Sequence, residues 1–370
     1  MKNIIIVPLI ILMLFFCSCD ENSVEPIDMD EPIADAGTEQ TINLGSYFIL
    51  DGTKSIKGNG ASLSYTWTQD ANNPEEVFIW GDSIMYQAVK TAGTYKYTLT
   101  VNNGIKKSKP AEIIITVNQR SSMLITDIIL EAEIRFLLKK QTGYLTTEDL
   151  LSIDSIYVGR GLYRKSRVYS VLGLENCTNL RVLIASLQTI ADLTPLSNLK
   201  KLTRLQLDQN YRLKDISPLA NLTQLKYLDI FCTGVLSISE LKNLINLEYI
   251  NICMAPITNI SVVSNFTKLK EFWAFDLPIT DLSVFSNLSE LELLYIAGGN
   301  IKDISALQNL SKLKYINLWE NKVEDIKPLV DNSSFTGSER CVELDDNPLN
   351  DASINEYIPA LQARGVFVYW

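Results

Sequence analysis

The chain has no histidine in its 370 residues. That removes the commonest general base, the commonest metal ligand and every Ser/His or Cys/His catalytic arrangement. Carboxylates, cysteines and aromatic rings are left to do any chemistry. Asp208 and Asp229 occupy neighbouring units of a repeat, a separation at which two carboxylates could act as acid and base on a sugar; solvated or ligand-contacting acids are the simpler reading. Glu343, Asp345, Asp346 and Asn347 gather oxygens suited to Ca²⁺, or form no more than a charged end. Cys232 and Cys253 fall near enough in successive units for a disulfide, while Cys177 reads as a small core residue and Cys341 as an outward one. The remaining feature is the stretch LKEFWAFDL, residues 269–277, with Phe272, Trp273 and Phe275 close together. In a strand alternate residues face opposite ways, so these rings cannot share one core.

The elements that position these groups follow from periodicity. Units open on Leu180, Leu202, Leu225, Leu247, Leu269, Leu291 and Leu313, spaced 22, 23, 22, 22, 22 and 22 residues. Within a unit, positions 1, 4, 6, 11, 14, 17 and 20 are almost always apolar, as in Leu291, Leu294, Ile296, Ile301, Ile304, Leu307 and Leu310. A fixed period of this length means coils that stack to bury a face none can bury alone. The pattern resembles leucine-rich repeats, and the Asn-Leu before each strand with Pro195, Pro218 and Pro328 in the return segments resembles the 22-residue internalin-like class. Proline there implies a tight return in place of a long helix. Residues 127–151, DIILEAEIRFLLKKQTGYLTTEDLL, read as one capping helix and resemble the N-terminal cap of bacterial members of that family. The repeat domain is thus expected over 124–370, complete, with its cap at 124–152, coils at 153–349 and a closing helix and strand at 350–370. Its first coil carries an insertion holding Arg160, Arg164, Lys165 and Arg167. Nine strands about 4.8 Å apart give a parallel sheet roughly 38 Å long.

Positions 4 and 6 point inward, so positions 3, 5 and 7 face out on the concave sheet. Position 3 supplies Arg204, Tyr227, Tyr249 and Tyr315; position 5 supplies Asp229, Asn251, Trp273, Tyr295 and Asn317; position 7 supplies Phe231, Phe275 and Trp319. Eight of these twelve candidate ligand-binding residues are aromatic. If each ring exposes about half of the roughly 150–250 Å² it could bury, the patch is of order 600–1,000 Å², beyond the roughly 300–600 Å² of an ordinary monomer. Rings on neighbouring strands can simply stiffen a sheet. Tyr, Trp and Arg also anchor interfaces, which points to protein recognition, with a glycan as the alternative because flat rings among polar groups suit sugars. An enzyme is disfavoured, and neither metal nor cofactor is implied.

Before the repeats, Ile33 to Val117 alternates in short runs, TINL, YFIL, SYTWTQ, EVFIW, TYKYTLTV and AEIIITV, broken by turn residues. This argues for a β-sandwich, with Trp67 in its core and Asn102-Asn103-Gly104 as a hairpin turn. Asp35-Ala36-Gly37, Gln40, Gly45, Leu50-Asp51-Gly52, Ser55 and Tyr65-Thr66-Trp67-Thr68-Gln69 resemble a PKD domain, an immunoglobulin-like extracellular module that usually acts as a spacer; the WDFGDG-like segment of many members is absent. The fold class expected is therefore multidomain, an all-β immunoglobulin-like sandwich (33–119) followed by an α/β leucine-rich repeat solenoid.

The first residues carry Lys2, an apolar run from Ile4 to Phe16, and Cys17-Ser18-Cys19-Asp20-Glu21. The run is too short to span a bilayer and has the form of an export signal. It resembles a bacterial lipoprotein signal (1–18), with Ser18 the small residue before a lipidated Cys19; ordinary cleavage and an uncleaved anchor are the other readings. Asp20 and Glu21 resemble the surface-export signal of some Gram-negative lipoproteins, which implies an outer-membrane protein exposed at the cell surface. Residues 19–32 are acidic and Pro-containing, a tether. A net charge of −10 offers no basic face for nucleic acid.

Overall fold

The structure, a computed structural model, describes residues 31–60, 62–119, 124–159 and 167–370. The expected signal, Cys19 and most of the tether lie outside them, as do Arg160, Arg164 and Lys165 of the basic insertion.

A small β region comes first. Strands β1 (Gln40–Asn43), β6 (Ala111–Asn118), β5 (Gly93–Asn102) and β3 (Ser64–Gln69) form one sheet in that order, and β2 (Phe48–Asp51) pairs antiparallel with β4 (Ile84–Gln87) in a second. Phe48, Leu50, Trp67, Tyr95, Tyr97 and Ile115 fill the space between, and the Trp67 indole donates to the Asp82 carbonyl at 3.2 Å. Gly104, at φ +86, makes the expected turn between β5 and β6. EVFIW, in contrast, is not a strand. Its backbone bonds go to side chains: the Gln69 amide both accepts from Val77 N–H (3.0 Å) and donates to Val77 O (3.1 Å), and Gln87 donates to Phe78 O (3.1 Å). Two glutamines stand in for the neighbouring strand that a ladder would need.

The expected single capping helix is two. Helix α1 (Ile128–Leu138) stops at Lys139, which is left-handed at φ 53, and α2 (Thr147–Leu151) restarts at a capping box of Thr146 and Asp149. Asp127 fastens the cap to the solenoid: one carboxylate oxygen accepts from Ile129 and Leu130 N–H, the other from Tyr169 N–H at 2.7 Å in the first coil. The sandwich packs on α1. Tyr47 and Tyr86 meet Phe136 edge-on at 5.2 and 5.0 Å, and Gln141 Nε2 donates to Tyr47 O at 3.3 Å. Gly45, at φ +89, lies so near Glu131 that a Cβ would come within 2.8 Å of its carboxylate, so a larger residue would strain the backbone and displace that side chain.

The solenoid strands are β7 (Ser155–Tyr157), β8 (Val182–Ile184), β9 (Arg204–Gln206), β10 (Tyr227–Asp229), β11 (Tyr249–Asn251), β12 (Glu271–Phe275), β13 (Leu293–Ala297), β14 (Tyr315–Asn317), β15 (Cys341–Glu343) and β16 (Phe367–Tyr369). They form one parallel sheet of ten in chain order, one more than expected, because the closing strand β16 joins the edge of β15. Equivalent residues pair throughout, as Tyr227 with Tyr249 and Asp229 with Asn251. The inward leucine columns are fully buried in one continuous core. Return segments are mostly short 3₁₀ turns, such as Thr194–Leu196 and Ser217–Leu219 around Pro195 and Pro218. Asp192, Asp215, Asp281, Asp303 and Asp325 open such returns, each accepting the N–H two residues on at 2.7 to 2.8 Å.

Two repeating devices close each coil. Position 8, just after the strand, is left-handed: Leu187, Gln209, Cys232, Met254, Asp276, Glu320 and Asp346 have φ between 53° and 61°, and Gly298 has 65°. A non-glycine residue there costs roughly 1 kcal/mol. From Leu187 to Glu320 the strain is offset by a position-8 N–H that donates to the next coil's carbonyl at 2.7 to 3.0 Å. At position 9, Asn210, Asn321 and Asn347 bridge coils; the Asn321 amide accepts from Ile301 N–H (3.0 Å) and donates to Ile296 O (2.8 Å) and Leu318 O (3.1 Å). Asn321→Ala orphans these buried groups and should lower stability by about 1–3 kcal/mol, read as a shift of the urea midpoint. Exposed Asn309→Ala should stay within about 0.5 kcal/mol.

Candidate functional site

The concave face is built from residues that parallel pairing sets side by side at strand spacing, about 4.8 Å. Aromatic residues at that spacing stack. Tyr227 and Tyr249 lie 4.0 Å apart between centroids at 5°, Trp273 and Tyr295 at 5.2 Å and 21°, and Arg204 places its guanidinium 3.6 Å from the Tyr227 centroid. Phe275 and Trp319 lean together over the intervening coil, 6.2 Å apart at 11°, because that coil offers only Ala297 and Gly298.

This stacking corrects the expected exposure. Tyr227, Phe231, Tyr249, Trp273, Phe275, Tyr295, Tyr315 and Trp319 all face outward, yet each is half-buried and none is fully exposed. The rings cover one another, so the patch is smaller than rings half open to water would give. Stiffening of the sheet and presentation of a surface are here the same contacts.

The polar residues among them are also less open than expected. Asp229 and Asn317 are buried and Asn251 half-buried. Each uses a side-chain oxygen to accept the N–H two residues on, from Phe231, Asn251's neighbour Cys253, and Trp319 respectively, all at 3.0 Å. In each of these strands regular pairing stops after three residues. Where position 5 is Trp273 or Tyr295, no such acceptor exists and pairing runs on to Phe275 and Ala297. Asp229, Asn251 and Asn317 therefore serve the backbone first, although the bond is not the sole cause of a short strand, since β8 also stops after three residues at Ile184, which has no such acceptor.

Neither carboxylate of the Asp208 and Asp229 pair stands free. Asp208 accepts from the Ser186 hydroxyl and from Gln206 Nε2 (3.0 Å), and burial pushes Asp229 up to about 6. Around the last coil, Glu343 accepts from the Tyr315 hydroxyl (2.8 Å) and from Asn317, Asp346 from the Trp319 indole (3.0 Å), while Asn347 bonds backbone. Three of the four thus have separate jobs, and Asp345 is exposed. Cys232 and Cys253 are unbonded to each other: Cys253 Sγ turns instead to Phe275 N–H at 3.1 Å. Cys177 is buried and Cys341 half-buried, as read.

Two outward aromatics were missed. Phe367 and Tyr369, on β16, pair with Cys341 and Glu343, which carries positions 3 and 5 one coil further; both are more than half exposed. The alternation in GVFVYW was the available signal.

Because the folded-state pKa of Asp229 lies above its unfolded value near 4, the native state binds the extra proton and stability falls as pH rises between about 4 and about 6. Asp229→Asn keeps the acceptor for Phe231 and removes the buried charge. It should gain about 2–3 kcal/mol at pH 7.5 and little at pH 4. Glu133, pushed up to about 7 by burial in the cap, titrates in an overlapping range, so the quantity read is the difference between the two proteins' urea stabilities at each pH.

No family model matches the chain, and no curated protein matches it either. Among solved structures, internalin C2 from Listeria monocytogenes is 31% identical, covering 57% of this chain and 92% of its own, with a TM-score of 0.54. A second internalin of that organism is 27% identical over 66% of this chain and 91% of its own (TM-score 0.40), and a leucine-rich repeat protein from Leptospira interrogans is 17% identical over 63% and 68% (TM-score 0.49). With the ten-stranded parallel sheet, the 22-residue coils and nearly all of internalin C2 matched at that identity, the chain belongs to the internalin-like leucine-rich repeat proteins.

Proposed function

We propose that this is a non-catalytic binding protein of the bacterial cell surface whose concave face takes a protein ligand, in recognition or adhesion. The observation that carries the reading is the run of stacked but incompletely covered rings from Tyr227 to Trp319, beside inward columns that are completely buried. Tyr and Trp held rigidly by neighbours lose little entropy on binding and supply large contact areas. The internalin-like fold supports a protein ligand in general terms. In this proposal a lipid on Cys19 anchors the chain to the outer membrane, residues 19–32 form the tether, and the PKD-like sandwich, 33–119, spaces the repeat domain, 124–370, from the membrane.

Two experiments test it. Pull-downs from host and bacterial extracts and a glycan array, with residues 22–370 as bait, should give a protein ligand, whose affinity falls at least about tenfold in the combined Trp273→Ala, Tyr295→Ala, Trp319→Ala variant while its circular dichroism is kept. Unchanged binding excludes the concave face, and glycan hits lost in the same variant would make the ligand a sugar. For the anchor, Cys19→Ser should abolish palmitate labelling and release the protein from membranes, and protease shaving of intact cells should remove the wild-type chain; a labelled Cys19→Ser variant, or full protection from protease, contradicts the placement.

A further inference from the structure

The outward columns have a one-sided charge. At positions 3, 5 and 7 the ionisable side chains besides Arg204 are acids, among them Glu271, Glu343 and Asp345. At position 8, beside the Phe275 and Trp319 rings, stand Asp276, Glu320 and Asp346, all exposed. Among the described residues none of these six acids is held in a salt bridge, whereas the acids on the edge of the sheet are: Glu248 with Lys226 and Lys270, Glu292 with Lys314. The lysines alternate with glutamates along that edge, and among the described residues none stands at positions 3, 5 or 7.

The one cation in these columns shows what the ring ladder accepts. Arg204 places its guanidinium carbon 3.6 Å from the Tyr227 ring centroid and so caps one end of the stack. Towards the other end, Trp273 with Tyr295 and Phe275 with Trp319 have no such cap among the described residues. Between Phe275 and Trp319 the floor is Ala297 and Gly298; the nearest neighbours of a Cβ on Gly298 would be Asp276 backbone at 3.5 Å and the Phe275 ring at 3.6 Å. Asp346 already reaches the edge of Trp319.

We infer that the ligand of the concave face is a basic protein segment, whose arginine guanidinium groups stack on Phe275 and Trp319 and pair with Asp276, Glu320 and Asp346. The inference rests on the concave face being the binding surface, and adds the charge of what it binds. Arginine suits the site better than lysine, because a planar cation can lie against a ring and still direct its N–H groups sideways to carboxylates. Unpaired acids flanking an aromatic floor also repel acidic competitors, which a purely apolar patch would not.

The test uses a labelled peptide of alternating arginine and serine and its citrulline counterpart, which keeps shape and loses charge, with binding to residues 22–370 read by fluorescence anisotropy. The arginine peptide should bind about tenfold more tightly, and rising salt should erode the difference. Asp276→Asn, Glu320→Gln and Asp346→Asn combined should abolish the preference, as should Phe275→Ala with Trp319→Ala. A matched control, Asp281→Asn, Asp303→Asn and Asp325→Asn, makes the same change in net charge on the return side, keeps each turn's acceptor, and should leave the preference intact. Equal binding of the two peptides, binding of neither, or equal losses in the concave and return-side variants overturns the inference. If both peptides bind equally and the ring variant loses both, protein recognition by the concave face stands and only its charge selectivity falls.

Discussion

Everything in the repeat domain depends on one constraint: a coil of about 22 residues cannot bury its own apolar face, so it must lie in register on the next. Parallel pairing then fixes equivalent residues about 4.8 Å apart, and each position of the repeat becomes a column through the molecule. What a column contains decides what it does. Leucines merge into a core, tyrosines and tryptophans stack, and Lys226, Glu248, Lys270, Glu292 and Lys314 alternate in sign along the edge, with bonds of 2.6 to 3.0 Å where they pair. Individually such surface pairs contribute little. Their regular alternation matters more, since a column of one sign would repel itself.

The same constraint explains why the binding surface is both rigid and only partly open. Rings at strand spacing must touch, and touching covers their faces. A column of aromatics therefore presents edges and partial faces in fixed orientations, without the rotamer freedom of isolated exposed rings. Where small residues interrupt the column, as at Ala297 and Gly298, the rings on either side tilt inward and a shallow floor appears between them.

Much of the solenoid was legible because its signal is repeated: seven leucines at a near-constant spacing identify the coils, and alternation identifies which side each residue faces. The errors arose where a side chain competes with the backbone. EVFIW alternates like a strand, but Gln69 and Gln87 satisfy its backbone from the side. Asp229 and Asn317 are correctly placed on the outward side, yet their oxygens are committed to the N–H two residues on, which draws them out of water. The left-handed position 8 holds Leu, Gln, Cys, Met, Asp, Gly and Glu in successive coils, so composition carries no trace of it; only the hydrogen bond to the next coil enforces the conformation. The single helix read over 127–151 failed because the left-handed turn at Lys139 interrupts an otherwise helical pattern.

The contact between the sandwich and the cap has a mechanical consequence. Tyr47 and Tyr86 against Phe136, with Gly45 on Glu131, lie between the N-terminal part of the chain and the whole ring ladder. A load applied to the concave face and resisted from the N-terminal side is carried by the covalent chain that links the two units and, beside it, by this joint. Because Tyr47 and Ala88 belong to the same continuous core as the coils, parting the sandwich from the cap would expose apolar surface that this core now buries, so the joint resists the separation that a pull would favour.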